Sequence, residues 1–128
     1  MDFSKTLMGA LGIEITGVEN GAVTATMPVD ERTRQPMGFL HGGASVALAE
    51  TVASLGAYSL VDQETEAVVG LEINANHLKA KRDGLVTAIG TLLHRGKTTM
   101  VWDVKITDEA GQLICISRCT VAVIKLKK

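Results

Sequence analysis

Residues 35–61 read QPMGFLHGGASVALAETVASLGAYSLV, a helix-length run of small and apolar side chains with one charge, Glu50. A helix that is apolar on every face cannot lie on a surface, so the rest of the chain has to wrap it. Ionised carboxylates are almost never fully buried without a partner, because their desolvation costs several kcal/mol. Glu50 is therefore either a salt-bridged structural acid or a reacting group. Just upstream, where the helix would begin, stands His41-Gly42-Gly43.

The wrapping material is legible on both sides. Residues 3–11 suit a short helix, with Ser4 as N-cap and Gly12 as stop. Residues 13–19 and 22–29 alternate apolar and polar around Asn20-Gly21, the strongest short-range hairpin signal, and Pro28 should close the second strand. A loop spans 30–40 and the long helix about 42–61, followed by a polar patch at 62–66. Strands are expected at 67–78, 85–93, 98–107 and 112–124. In the first, Val69, Leu71, Ile73 and Ala75 are read as the inner face, against Gly70, Glu72, Asn74 and Asn76. The connections are a basic turn at 79–84, a tight one at 94–97 and a hairpin turn at 108–111. Their shortness predicts an antiparallel meander of these four strands. Lys125 to Lys128 reads as a solvated basic end. The whole is an α+β chain of one domain, residues 1–128, with a curved antiparallel sheet around one long helix.

Composition narrows the function. The formal net charge is -1, so no broad basic field points to nucleic acid. No window has the roughly 18 uncharged apolar residues of a membrane span, and the acid at position two of MDFSKTLMGALG argues against a secretory signal. Aromatic residues make up only 3%, so the core must be built of Val, Ile, Leu, Ala and Met. Cys115 and Cys119, four apart in a strand, have α-carbons about 13 Å apart at roughly 3.3 Å per residue, too far for a disulfide. Two small buried thiols and a cytoplasmic location are expected.

With QPMGFLHGGASVALAE, VVGLEINANHLKAKRDG and HRGKTTMVWDVKITDEAGQLICISRCT, the chain resembles the hotdog-fold thioesterases over nearly its whole length. It is most similar to the small acyl-CoA thioesterases of the phenylacetate-degradation, 4-hydroxybenzoyl-CoA and 1,4-dihydroxy-2-naphthoyl-CoA type. The second and third stretches resemble the hydrolases of menaquinone biosynthesis and the thioesterases that proofread enterobactin assembly. The resemblance implies hydrolysis of an acyl-CoA, 1,4-dihydroxy-2-naphthoyl-CoA first, with carrier-protein thioesters as the alternative. It implies no metal and no cofactor, coenzyme A being part of the substrate. Glu50 matches the catalytic carboxylate, nucleophile or base for water. Gly42 matches the backbone donor to the thioester oxygen. Gln35 and His41 match the polar residues beside that carbonyl, and Ser54 the residue that positions water. His77 matches an active-site or ligand-contacting position.

Elementary geometry agrees with these roles and adds a demand. A helix start offers free N–H groups and partial positive charge, and glycine lets a substrate approach that backbone. Yet Gly42 and Glu50 are eight residues apart, about 12 Å along a helix. Both must act within about 3 to 3.5 Å of one carbonyl. A two-fold dimer with antiparallel helices, or a dimer of dimers, supplies Glu50 from one chain and His41-Gly42 from the other, giving two equivalent sites.

For the coenzyme A phosphates the candidates are Lys79, Lys81 and Arg82 in one turn, and Leu93, His94, Arg95, Gly96, Lys97 and Thr98 around the other. Val69 and Gly70, with Asn76, His77, Leu78 and Lys79, would line the pantetheine channel. The two turns flank one strand, so they serve one ligand only from different subunits.

Blander readings stand beside these. His41 caps a helix, Gln35 ends a loop, Ser54 bonds back to a carbonyl, the basic turns are solvated, Glu72 sits at the surface, and Trp102 and Tyr58 simply pack. Two rival functions are a hotdog dehydratase or hydratase, which would need an acid and a histidine set for β-carbon proton transfer, and a non-catalytic acyl-CoA sensor.

Overall fold

Asn20-Gly21 turns the chain back on itself, with Gly21 at φ 84° making the left-handed step, so β1 (Glu14–Glu19) pairs antiparallel with β2 (Ala22–Pro28). The computed structural model describes residues 1–127; Lys128, the end of the expected basic tail, lies outside the described residues. Before the hairpin comes α1 (Leu7–Leu11), and after it α2 (Gly42–Tyr58), then β3 (Glu66–His77), β4 (Leu85–Arg95), β5 (Thr99–Thr107) and β6 (Leu113–Lys125). One six-stranded antiparallel sheet curls around α2, which touches every strand. This is the hotdog architecture. α1 is shorter than expected, its N-cap is Thr6 without a side-chain bond, and Ser4 does not cap it; Gly12 closes it at φ 73°. α2 ends at Tyr58 rather than residue 61, because the hydroxyl of Ser59 donates to Gly56 O, 2.7 Å, and residues 59–61 leave the helix.

The four strands after α2 are not one meander. β4, β5 and β6 are consecutive neighbours, but β3 lies beyond β6, and β2 takes the other side of β4, giving the order β1-β2-β4-β5-β6-β3. β3 and β6 match nearly end to end, Glu66 opposite Lys125 and His77 opposite Cys115. The connection 78–84 crosses the ends of β6 and β5, where Leu78 N–H donates to Ile114 O and Leu40 N–H donates to Lys81 O, both 2.7 Å. Three strand spacings are about 14 Å, well within seven residues of chain, so a short connection did not require adjacent strands.

A β-bulge in β3 overturns half of the expected inner face, at Val69 and Leu71, and keeps Ile73 and Ala75 inside. The register with β6 shifts between Gly70 and Glu72, so the side-chain alternation reverses there. Val69 and Leu71 are 45% and 60% exposed, whereas Val68, before the shift, and Ile73, after it, pack on the core. Upstream of the bulge Val68 and Gly70 face α2. Downstream Ile73, Ala75 and His77 do so.

The interior is built as the composition requires, from Val, Ile, Leu, Ala and Met around a buried Trp102. Small helix residues let the sheet close in: the Trp102 ring occupies the space a Gly56 side chain would need. Cys115 and Cys119 are free and buried, as their spacing predicts.

Candidate active site

α2 starts at His41, whose Nδ1 accepts the Gly43 N–H at 2.8 Å while its backbone carbonyl accepts from Ala44 and Ser45. Histidine is thus the cap, and the neutral ring that makes this bond carries its proton on Nε2, pointing a donor outward. Gly42 N–H has no partner among the described residues. The His77 ring packs on Gly42, and a β-carbon there would stand 2.8 Å from His77 Nε2. Gln35 is fixed by its loop: its Oε1 accepts the N–H groups of Met37 at 2.5 Å and Phe39 at 3.3 Å, which turns its Nε2 donors away from that loop. Gln35, Gly42 and His77 line one cavity of about 380 Å³, with Ser45, Leu78 and Lys79.

Glu50 belongs to a different surface. It lines a cavity of about 570 Å³ with Ser54, Thr51 and the apolar side chains of Leu7, Met8, Val46, Leu55, Tyr58 and Val68. No cation pairs with Glu50 among the described residues, so the salt-bridged reading of its carboxylate fails. The carboxylate rests on Gly70, where the β3 bulge brings bare backbone to it. It also lies near β6: burial pushes the Cys119 thiol up to about 11, and the charges of Glu50 and Glu72 add to that rise. Thr51 donates back to Ala47 O at 2.7 Å, but the Ser54 hydroxyl, beside Glu50, makes no such bond and has no partner among the described residues.

Gln35 and Gly42 therefore occupy a different cavity of the chain from the carboxylate, Gly42 and Glu50 lying about 12 Å apart along α2, while His41 lines a third cavity with Arg32, Gly43 and Ala44. One stretch of helix offers donors for a carbonyl oxygen, the other a free acid with an apolar wall. Neither half is complete alone.

Of the residues expected at the pantetheine channel, Gly70 sits under Glu50, while Val69, Asn76 and Leu78 are exposed. The basic turns are partly occupied. Lys79 Nζ donates to Gln112 Oε1, Lys81 pairs with Glu109, and Arg82 stacks 4.2 Å above the Phe39 ring. Across the strand, Arg95 Nη2 donates to Leu60 O at 2.5 Å, and Gly96 lies against His94, where a β-carbon would stand 3.1 Å from Nε2. Lys97 and Thr98 follow in the same connection, and Leu93 is 53% exposed at the β4 bulge. The eleven-residue β4 keeps the two turns roughly 33 Å apart, as the sequence implies. Glu72 is exposed and accepts from Asn74, as expected of a surface acid.

The residues that sequence reasoning did not place here are Leu7, Met8, Val46, Leu55 and Val68, and Tyr58, which lines the Glu50 cavity beyond merely packing. The helical ones share the Glu50 face at spacings of three and four, a signal present in the sequence. α1 carried no such signal.

A hotdog sheet around a helix with an unpaired carboxylate and a donor-rich start defines a thioester hydrolase. The chain belongs to the thioesterase superfamily, whose profile matches residues 37–115. It is 62% identical to a Bacillus subtilis protein provisionally named an esterase, ComA2, over 98% of this chain and 99% of that one. It is 53% identical to the 1,4-dihydroxy-2-naphthoyl-CoA hydrolase of Listeria monocytogenes, over 95% of this chain and 98% of the relative. The crystal structure of a Haemophilus influenzae thioesterase superposes with a TM-score of 0.93 at 48% identity, covering 98% of this chain and 87% of that one.

Proposed function

We propose that this thioesterase hydrolyses an aromatic acyl-CoA, 1,4-dihydroxy-2-naphthoyl-CoA first, to the free acid and coenzyme A, in a site shared by two chains. The observation that carries the reading is the division of α2 into a donor half around Gly42 and an acid half around Glu50, each in its own cavity. In the shared site Gly42 N–H, with Gln35 Nε2 and His41, holds the thioester oxygen of a substrate whose acyl group lies against the partner's apolar cavity. Glu50 of that partner attacks the carbonyl carbon or activates water, and Ser54 orients the water. The basic turns at 79–82 and 94–98, one from each chain, receive the phosphates. All these groups are protein groups, in one domain of residues 1–128 working in the cytoplasm.

Three further facts support it. β3 is a twelve-residue edge strand with a free side and exposed Val69 and Leu71, suited to pairing with its two-fold copy as a homodimer or a dimer of dimers. The Listeria relative carries the naphthoyl-CoA hydrolase name, which would place the chain in menaquinone biosynthesis. A Staphylococcus aureus thioesterase, 46% identical, was crystallised with a glutamate and, separately, a glutamine replaced by alanine, fifteen residues apart, the separation of Gln35 and Glu50 here.

The second reading, hydrolysis of carrier-protein thioesters in a proofreading role, is favoured by a Cronobacter turicensis relative named a proofreading thioesterase, at 47% identity. Naphthoyl, benzoyl, phenylacetyl and fatty acyl-CoAs, compared by kcat/KM alongside an aryl carrier-protein thioester, test both. The highest value on 1,4-dihydroxy-2-naphthoyl-CoA is expected. A preference for the carrier-protein thioester selects the second reading, and no thiol release from any substrate ends both.

A further inference from the structure

Ser45 is the third residue of α2 after Gly42, 1% exposed, on the wall of the cavity that holds Gln35, Gly42, His77 and Lys79. A buried helical serine ordinarily donates to the carbonyl four residues back, as Thr51 does to Ala47. For Ser45 that carbonyl is His41 O, and it already accepts two N–H groups, from Ala44 at 3.0 Å and from Ser45 itself at 3.3 Å. Among the described residues the Ser45 hydroxyl has no hydrogen-bond partner, yet the only wholly enclosed side-chain polar atom without one is Trp102 Nε1. The Ser45 hydroxyl therefore opens onto the cavity.

A buried hydroxyl aimed into a cavity and left unpaired by its own helix is a group held ready for something that enters. Alanine would suit the helix better and leave no unpaired hydroxyl.

We infer that the Ser45 hydroxyl hydrogen-bonds the first amide of the pantetheine arm, the polar group nearest the thioester on the coenzyme side. This rests on the acyl-CoA thioesterase reading above and adds a binding residue to it. Three residues of helix separate Gly42 and Ser45, about 4.5 Å of rise. In a pantetheine thioester the amide follows the sulfur after two methylenes, so an oxygen held at Gly42 N–H leaves the amide about one helical turn away. The cavity has the right chemistry for such an arm. It offers Gln35, Ser45, His77 and Lys79 as polar partners between the apolar Phe39, Leu40 and Ile114, and no carboxylate. The acid half of the site, with its apolar wall, is left for the acyl group. Ser45 neither donates a proton nor attacks; it fixes the arm so that the carbonyl stays on Gly42.

The test pairs Ser45→Ala with three thioesters of one aryl acid: the acyl-CoA, the N-acetylcysteamine thioester, which keeps the first amide, and the S-ethyl thioester, which lacks it. Loss of one neutral hydrogen bond corresponds to about 2- to 13-fold. Ser45→Ala should lower kcat/KM by that factor on the first two, mainly through KM, and leave the S-ethyl thioester unchanged. Thermal stability should be equal or higher, separating a lost contact from a damaged fold. An unchanged kcat/KM on the acyl-CoA overturns the assignment. So does an equal loss on the S-ethyl thioester, which would mean that Ser45 acts on the carbonyl or through the helix. If wild-type protein cleaves none of the three, the thioesterase reading fails instead, and the two failures are told apart.

Discussion

Glu50 lays its carboxylate on the α-carbon of Gly70: a β-carbon at that position would stand 3.1 Å from Glu50 Cδ and closer still to Oε2. The bulge in β3 turns Gly70 toward α2, and glycine leaves the space that the acid fills. Gly70→Ala should displace the carboxylate by a fraction of an ångström to an ångström while sparing the fold, since the group that must give way is the end of a flexible side chain. Misplacement on that scale costs about 10²-fold. The expected outcome is a kcat lowered 10- to 100-fold with a melting temperature within a few degrees of wild type. Glu50→Ala, which removes the group, should cost about 10³-fold or more. An unaltered kcat in Gly70→Ala would mean that the observed position of the carboxylate is not the working one.

Sharing of the site between chains has a signature in mixed oligomers. A chain with Glu50→Ala and a chain with Gln35→Ala and His41→Ala should each be nearly inactive. When they are unfolded together and refolded, about half of the dimers are mixed, and each mixed dimer holds one site in which both halves are intact. Activity should return to about a quarter of the wild-type value per chain. If donors and acid act within one chain, mixing restores nothing.

The parts of this arrangement that the sequence carried are those written in short-range pattern. The Asn20-Gly21 hairpin, the apolar helix with its single acid and the Gly-rich helix start each depend on residues within a turn or two of one another. The twelve ångströms between Gly42 and Glu50 follow from helix rise alone, and the two cavities observe the division. What was not legible depends on pairing at a distance. Nothing local tells β3 to prefer β6 over β4, because the preference rests on matched strand lengths and on β2 already holding the edge of β4. The bulge at Gly70–Glu72 is equally hidden, and it decides that Val68 rather than Val69 faces the helix. α1 reaches the Glu50 cavity through Leu7 and Met8 for the same reason: five residues carry too little pattern to reveal what they pack on.

One exposed acid, Glu109, adds an ion pair to the backbone bonds that hold the turn at 79–84. Lys81 holds the Glu109 carboxyl at about 2, helped by backbone N–H groups including that of Leu85, 2.9 Å away. A carboxyl lowered in the folded state contributes stability above its unfolded value of 4.5, and that contribution fades as the pH falls toward 2. Acid unfolding between those values should therefore be less steep in Glu109→Gln than in wild type. The pair is exposed, so the difference should be modest and shrink in high salt. Denaturant midpoints measured from pH 5 to 2 at two ionic strengths check this; parallel curves for the two proteins would remove the pair from the acid limb.

The opposite limb belongs to Cys119. Its thiol stands at about 11 in the folded protein against an ordinary 9.0, chiefly because burial disfavours the thiolate, with Glu50 and Glu72 adding their charge. Between those two values the unfolded chain has released the proton and the folded chain has kept it. Raising the pH from about 9 to 11 therefore favours unfolding, and stability should fall across that window. Cys119→Ala should flatten this decline, whatever it does to stability at neutral pH. The same burial should protect both thiols: with Cys115 and Cys119 wholly covered, an aromatic disulfide reagent at pH 8 should modify the native protein at least 100-fold more slowly than the unfolded chain. Rapid labelling of native protein would show that the sheet opens around β6 on the assay timescale, and it would also add the enzyme's own thiols to the coenzyme A released in turnover.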